Sequence, residues 1–220
     1  MDDATAAPLL WRGDGTEQPG LARRVLVPSL AGRDVRVRGL GPVGTAAAEA
    51  AARAGAASLS LVGDPAAPAA PVARLAAAVR PGLRLHLDAE RSVDGEIATA
   101  YGAVGAAVHH RLLLDGPHVA ALADEAGVTV LPVRPGATAC LRCVGLERTD
   151  RDAAWPVLAL QCEGLPERTD ALSAAVAGAL AATALAALLA GADPTAWRVE
   201  RGLPRRRRIV PHPDCGCGAA

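Results

Sequence analysis

Residues 35–64 read VRVRGLGPVGTAAAEAAARAGAASLSLVGD, and the reading of this stretch decides the fold. The alternation VRVR is a strand, the glycines at 39, 41 and 44 follow GxGxxG, and TAAAEAAARA is a helix closed by Gly55. SLSLVG at 58–63 is a second strand, ending at Asp64. Strand, glycine turn and helix in this order suit a phosphate-binding crevice. Gly39 permits the tight turn, Gly41 the approach of a phosphate, and Gly44 the packing of helix on sheet. Amides at the helix start would face an anion, and Asp64 stands where a carboxylate holds ribose hydroxyls. By themselves these four residues fit NAD as well as ATP. They also fit a βαβ unit whose glycines serve packing alone.

The rest of the chain keeps the rhythm. A helix is expected near 72–80, a strand at 83–87, a strand at RLLL (111–114), a helix near 117–126 and a strand at VTVLPV (128–133). Alternation at this pitch predicts a doubly wound, mainly parallel α/β sheet of the Rossmann type. Beyond 134 come a cysteine pair, a charged loop, a long alanine-rich helix and WRVERGLPRRRRIVP, read as a β-hairpin turning at Gly-Leu-Pro. The chain thus divides into an N-terminal extension (1–22), a Rossmann-like nucleotide-binding part (23–134) and a C-terminal part of the same domain (135–220).

The 23 basic and 23 acidic residues cancel, so no net field favours nucleic acid or an anionic membrane as partner. The chain contains no lysine, and its RRRR run at 205–208 reads as a solvated strand face. The opening MDDATAAPLLWRGDG is acidic and soon broken by Pro and Gly, unlike a signal peptide, and a cytoplasmic location is expected. The uncharged run ALSAAVAGALAATALAALLAGA could span a bilayer by length. Its weakly apolar alanines favour a buried helix instead.

Four of the five cysteines form two close pairs, Cys140 and Cys143 in TACLRC and Cys215 and Cys217 in PDCGC. Four thiolates meet the tetrahedral requirement of a structural zinc, and two pairs of buried thiols are the alternative. Cys162, in LALQCEGLPE, is either a loop nucleophile or a quiet thiol.

Taken together, GLGPVGTAAAEAAARAGAASLSLVGD, TACLRC and the C-terminal cysteine pair resemble the ThiF/MoeB-type, ubiquitin-activating-enzyme-like adenylyltransferases. PGATACLRCVGLERTDRDAAWPVLALQ resembles an actinobacterial branch associated with azoline-containing peptides and their cyclodehydratases. The resemblance covers roughly residues 23–217. It implies a ThiF-type fold with a zinc-stapled C-terminal helix and hairpin, ATP with magnesium in the glycine crevice, and a homodimer. It also implies activation of the C-terminal carboxylate of a small protein or precursor peptide as an acyl-adenylate. Arg24, or else Arg23, resembles an arginine that reaches the partner subunit's nucleotide. Asp115 resembles the magnesium-binding aspartate, with His118 where a second aspartate would fall. Cys162 lies roughly where some relatives carry a catalytic cysteine.

The chain also departs from the pattern. GDPAAPAAPVARL keeps Asp64 but lacks the polar element that follows the second strand, and a phosphate-contacting lysine has no counterpart. The expected function is therefore a degenerate, peptide- or partner-binding member serving ribosomal peptide biosynthesis, in company with a partner enzyme. An active adenylyltransferase is the alternative, and an NAD-dependent oxidoreductase a third reading.

Overall fold

The computed structural model describes residues 29–64, 67–87 and 91–219. In chain order the elements are β1 (Asp34–Arg38), α1 (Pro42–Arg53), β2 (Ser58–Val62), α2 (Ala69–Val79), β3 (Arg84–His86), β4 (Gly95–Tyr101) and α3 (Ala106–Asp115). Then follow β5 (His118–Asp124), β6 (Gly127–Val133), α4 (Leu141–Arg151), α5 (Trp155–Cys162), α6 (Ala171–Leu189), β7 (Ala196–Glu200) and β8 (Leu203–Arg207).

All eight strands join one sheet in the order β3-β2-β1-β4-β5-β6-β7-β8. The first five are parallel; β6, β7 and β8 are added antiparallel. The sheet is therefore mixed, with the parallel half that the sequence predicts. After β3 the chain returns to lay β4 beside β1, which makes the carboxyl ends of β1 and β4 the topological switch point. Open α/β sheets bind ligands in that crevice.

The two faces differ. Val35, Val37, Leu59, Ile97 and Val119 belong to a core shared with α1, α2 and α6. Ala98, Ala120, Leu122, Leu131 and Val133 face a second core beneath α3 and α4. On this second face, β1 and β2 present Arg36, Arg38, Ser58 and Ser60, in register with Glu96 on β4. A polar seam thus replaces the apolar face usual in parallel strands. VRVR and SLSL alternate for this reason.

Several local expectations are corrected. RLLL lies within α3, where Leu112 alone is buried, and is not a strand. HVAALAD is β5, not a helix: six of its seven residues are buried, because it is interior to the sheet. GEIATAY forms β4, unassigned from sequence, and α4 and α5 occupy the expected charged loop. The hairpin exists, but its two-residue turn is Arg201-Gly202, with Leu203 and Pro204 inside β8.

Helix α6 is long and apolar enough to cross a membrane. In the fold ten of its residues are buried, and it packs most extensively against α1. Gly178 makes this possible, since a Cβ there would lie 2.6 Å from both the Ala46 Cβ and the Ala47 nitrogen. Gly178→Ala is expected to destabilise by about 1–3 kcal/mol through overpacking. About 1 kcal/mol of gained helix propensity offsets part of this. The urea midpoint measures the net change.

Candidate functional site

The glycine turn connects β1 to α1 at the switch point. Gly39 has φ +76°, and a Cβ there would lie 2.4 Å from the Thr99 carbonyl oxygen of β4. A Cβ on Gly44 would lie 1.8 Å from the Gly39 carbonyl oxygen. Thr99 Oγ1 donates to that same carbonyl at 3.0 Å, and Thr45 Oγ1 donates to the Leu40 carbonyl at 3.1 Å. The turn is thus locked by close backbone approach.

Gly39, Gly41 and Asp64 line one cleft of about 500 Å³ together with Thr99, Leu75, Pro166 and Glu167. Gly44 sits behind it in the packed turn. Asp64 Oδ1 accepts from the Ala67 amide at 2.8 Å, which closes the turn after β2. No arginine or histidine lines the cleft among the described residues.

The helix N-terminus is already occupied by the chain's own carboxyl group. Glu167 Oε1 accepts from the Val43 amide at 2.6 Å, and a Cβ on Gly41 would lie 2.9 Å from the Glu167 Cβ. The position where a glycine turn presents its amides to a phosphate is taken by the chain's own carboxylate. Burial pushes the Glu167 pKa up, opposed by amides of Val43 and Gly44 and by Thr99. Its Oε2 is buried without a hydrogen-bond partner. Glu167 was not anticipated from sequence, because it is brought here from 124 positions away on the segment between α5 and α6.

The other candidates lie apart. Arg23 and Arg24 fall outside the described residues. Asp115 closes helix α3 rather than a strand and pairs with Arg36 at 3.6 Å and Arg111 at 3.6 Å. It precedes β5, so it lies at the end of the parallel strands opposite the glycine turn. No magnesium role at the cleft is open to it from there. His118 starts β5, and burial pushes its pKa down. Cys162 ends α5 with its sulfur where a Cβ on Gly102 would be 2.4 Å away. Burial, reinforced by Glu125, pushes its thiol pKa up, the reverse of an activated nucleophile.

The four paired cysteines do converge. Cys140 caps α4, Cys143 lies in its first turn, and Cys215 and Cys217 come from the C-terminal segment. Their sulfurs lie within 4.8 Å of one another, with Cys140–Cys143 at 3.9 Å, Cys140–Cys215 at 3.7 Å and Cys143–Cys217 at 3.7 Å. A tetrahedral ion with sulfur bonds of about 2.3 Å has edges of about 3.8 Å. Burial and the neighbouring thiols push Cys215 up to about 12, while the Ala219 amide holds Cys217 below its ordinary value. The four residues could hold a metal ion, which would take them as thiolates.

No family model and no curated protein sequence matches the chain. Solved structures do match. E. coli MccB has a TM-score of 0.62 at 12% identity, over 87% of this chain and 66% of that one. Microcin C7 biosynthetic enzyme MccB in complex with N-formylated MccA gives 0.61 at 13% identity, over 86% and 68%. PaaA gives 0.56 at 13% identity, over 82% and 74%. The chain spans just under two thirds of the length of E. coli MccB. The chain thus shares a mixed α/β fold with these neighbours.

Proposed function

We propose that the chain is a degenerate ThiF-like protein of ribosomal peptide biosynthesis, of the azoline-peptide branch. It binds a precursor peptide or small-protein tail and presents it to a partner enzyme without adenylating it. Structural zinc at the four cysteines, a homodimer and a cytoplasmic location complete the reading. The observation that carries it is the Glu167 carboxylate on the Val43 amide, inside a cleft that also holds Asp64 and has no described cation. Stabilising a triphosphate needs magnesium and cationic groups acting together. Glu167 at the helix start and Asp64 elsewhere in the cleft oppose it. Peptide as partner is supported by MccB, a biosynthetic enzyme seen in complex with MccA.

Calorimetric titration with MgATP, paired with pyrophosphate exchange in the presence of candidate peptides, tests this. The wild-type protein is expected to bind at roughly 10⁻⁴ M or weaker and to show no exchange, having lost two or three charged contacts. Glu167→Gln should tighten binding up to about tenfold by removing one competing charge, still without exchange. Tight, magnesium-dependent binding with exchange by the wild type would establish the active adenylyltransferase instead. The intact glycine turn with Asp64 beside it is what favours that second reading.

A further inference from the structure

A second cleft, of about 860 Å³, lies across the segment that carries Glu167. Glu167 lines the first cleft and the next residue, Arg168, lines the second. The walls of the second are the β5–β6 turn, the start of α6 and the β7–β8 turn. Its four acidic side chains are all engaged within the protein. Asp124 is gripped by two nitrogens of Arg198 at 2.5 and 2.8 Å, and Glu200 takes the Arg198 Nε at 3.1 Å. Glu125 accepts the Tyr101 hydroxyl at 2.6 Å, and Asp170 caps α6 by accepting from the Ser173 amide at 2.9 Å.

The cleft's other three charges are different. Arg168, Arg201 and Arg205 are exposed and make no ion pair among the described residues. Arg201 is also the one non-glycine residue with positive φ among the described residues, at +51°. It forms a two-residue hairpin turn with Gly202, φ +75°, the type I′ pattern in which Asn or Gly is favoured first. The turn sets the Arg201 side chain at the rim of the cleft. Leu203, 65% exposed, adds an apolar contact on the same wall.

We propose that this cleft binds an acidic, extended peptide segment, its carboxylates taken by Arg168, Arg201 and Arg205 and an apolar side chain by Leu203. The ligand's charge follows from the arginines: every lining carboxylate already has a hydrogen-bond partner within the protein, whereas the three guanidiniums have no ion pair among the described residues. Guanidiniums take carboxylates in planar, bidentate fashion. The four carboxylates of the wall would repel the dense charge of a nucleic-acid backbone, whereas spaced peptide carboxylates can reach the arginines one by one. The proposal rests on the peptide-binding reading above and names the chemistry of the peptide.

The test is fluorescence anisotropy on the full chain, with a short labelled Glu/Leu peptide, its Gln/Leu analogue and a single-stranded oligonucleotide. The Glu/Leu peptide is expected to bind best. The triple variant R168Q/R201Q/R205Q should weaken it at least about tenfold. R74Q, an exposed arginine on α2, should change nothing. Arg201→Asn suits the turn, so it should weaken peptide binding while raising the melting temperature, which separates lost binding from lost fold. Undiminished binding by the triple variant, or an oligonucleotide bound as tightly, would overturn the proposal. Binding of the Gln/Leu peptide to the wild type as tightly as the Glu/Leu peptide would overturn it while leaving the peptide-binding reading intact; no binding of either peptide would count against both.

Discussion

Replacing Glu96 by alanine is expected to destabilise the fold by about 3–5 kcal/mol, the penalty for stranding buried counter-charges. Its side chain is 3% exposed and is shared by Arg36 Nη1 at 2.7 Å and Arg38 Nε at 2.6 Å. The Arg36 side chain is itself 4% exposed. Asp115 at 3.6 Å and the Arg91 carbonyl also hold Arg36, but neither reaches Arg38. Without Glu96 the guanidiniums of Arg36 and Arg38, with Arg111 3.9 Å from the same carboxylate, would face the seam with Asp115 as the nearby carboxylate. Against a typical total of about 5–15 kcal/mol, this leaves a marginal protein. Glu96→Gln should lose nearly as much, because it keeps the shape and removes the charge. Replacing Glu96, Arg36 and Arg38 together by apolar residues of similar volume should recover most of the loss, since the seam no longer has charges to desolvate. Urea unfolding of the three variants measures this. A fully stable Glu96→Ala would mean that solvent reaches the seam.

How much of this was legible beforehand depended on what each residue's neighbours were. The glycine turn, α1, β2, α6 and the hairpin stand out because local periodicity and turn chemistry specify them. The two cysteine pairs stand out because their spacing marks them as candidate ligands, and the fold brings them together. Beta strands β4 and β5 were obscured by alanine. Ala98, Ala120, Ala121 and Ala123 are buried in the sheet, where helices press close and leave room for little else, yet their composition reads as helix. RLLL misled in the other direction: three leucines in a row read as a strand, and the helix placed only Leu112 inside. Glu167 could not be seen at all. Nothing in GLPERTD marks one glutamate as the cap of a helix 124 positions earlier; that pairing belongs to the tertiary fold.

Removing the proposed zinc should have a larger effect than any of the surface changes, and the effect should be local. The described residues after β8 form no strand, and Ile209, Cys215 and Cys217 pack against the core beneath α3 and α4. Among the described residues, the C-terminal segment is tied to α4 by the sulfur cluster and by the His212 Nε2–Asp150 Oδ2 contact at 2.8 Å, and the metal would strengthen the first of these. In zinc-finger peptides such a site supplies an apparent binding free energy of about 10–16 kcal/mol at neutral pH, and that energy is folding energy. The purified protein is expected to carry about one zinc per chain by elemental analysis. A strong chelator, or Cys215→Ser, should then free the segment, and trypsin should cleave within Arg205–Arg208 at a rate raised by orders of magnitude. The main sheet should stay folded, because its apolar core on the α1–α6 side does not touch the cysteines. Cys143→Ser should do more damage than Cys215→Ser, since Cys143 is buried in the second core with Val144 and Leu112. Acidification should mimic chelation, as thiolate ligands regain protons and release the ion. A reduced, folded sample that holds no zinc and resists trypsin at its C-terminus would show that the four thiols hold the segment by packing alone.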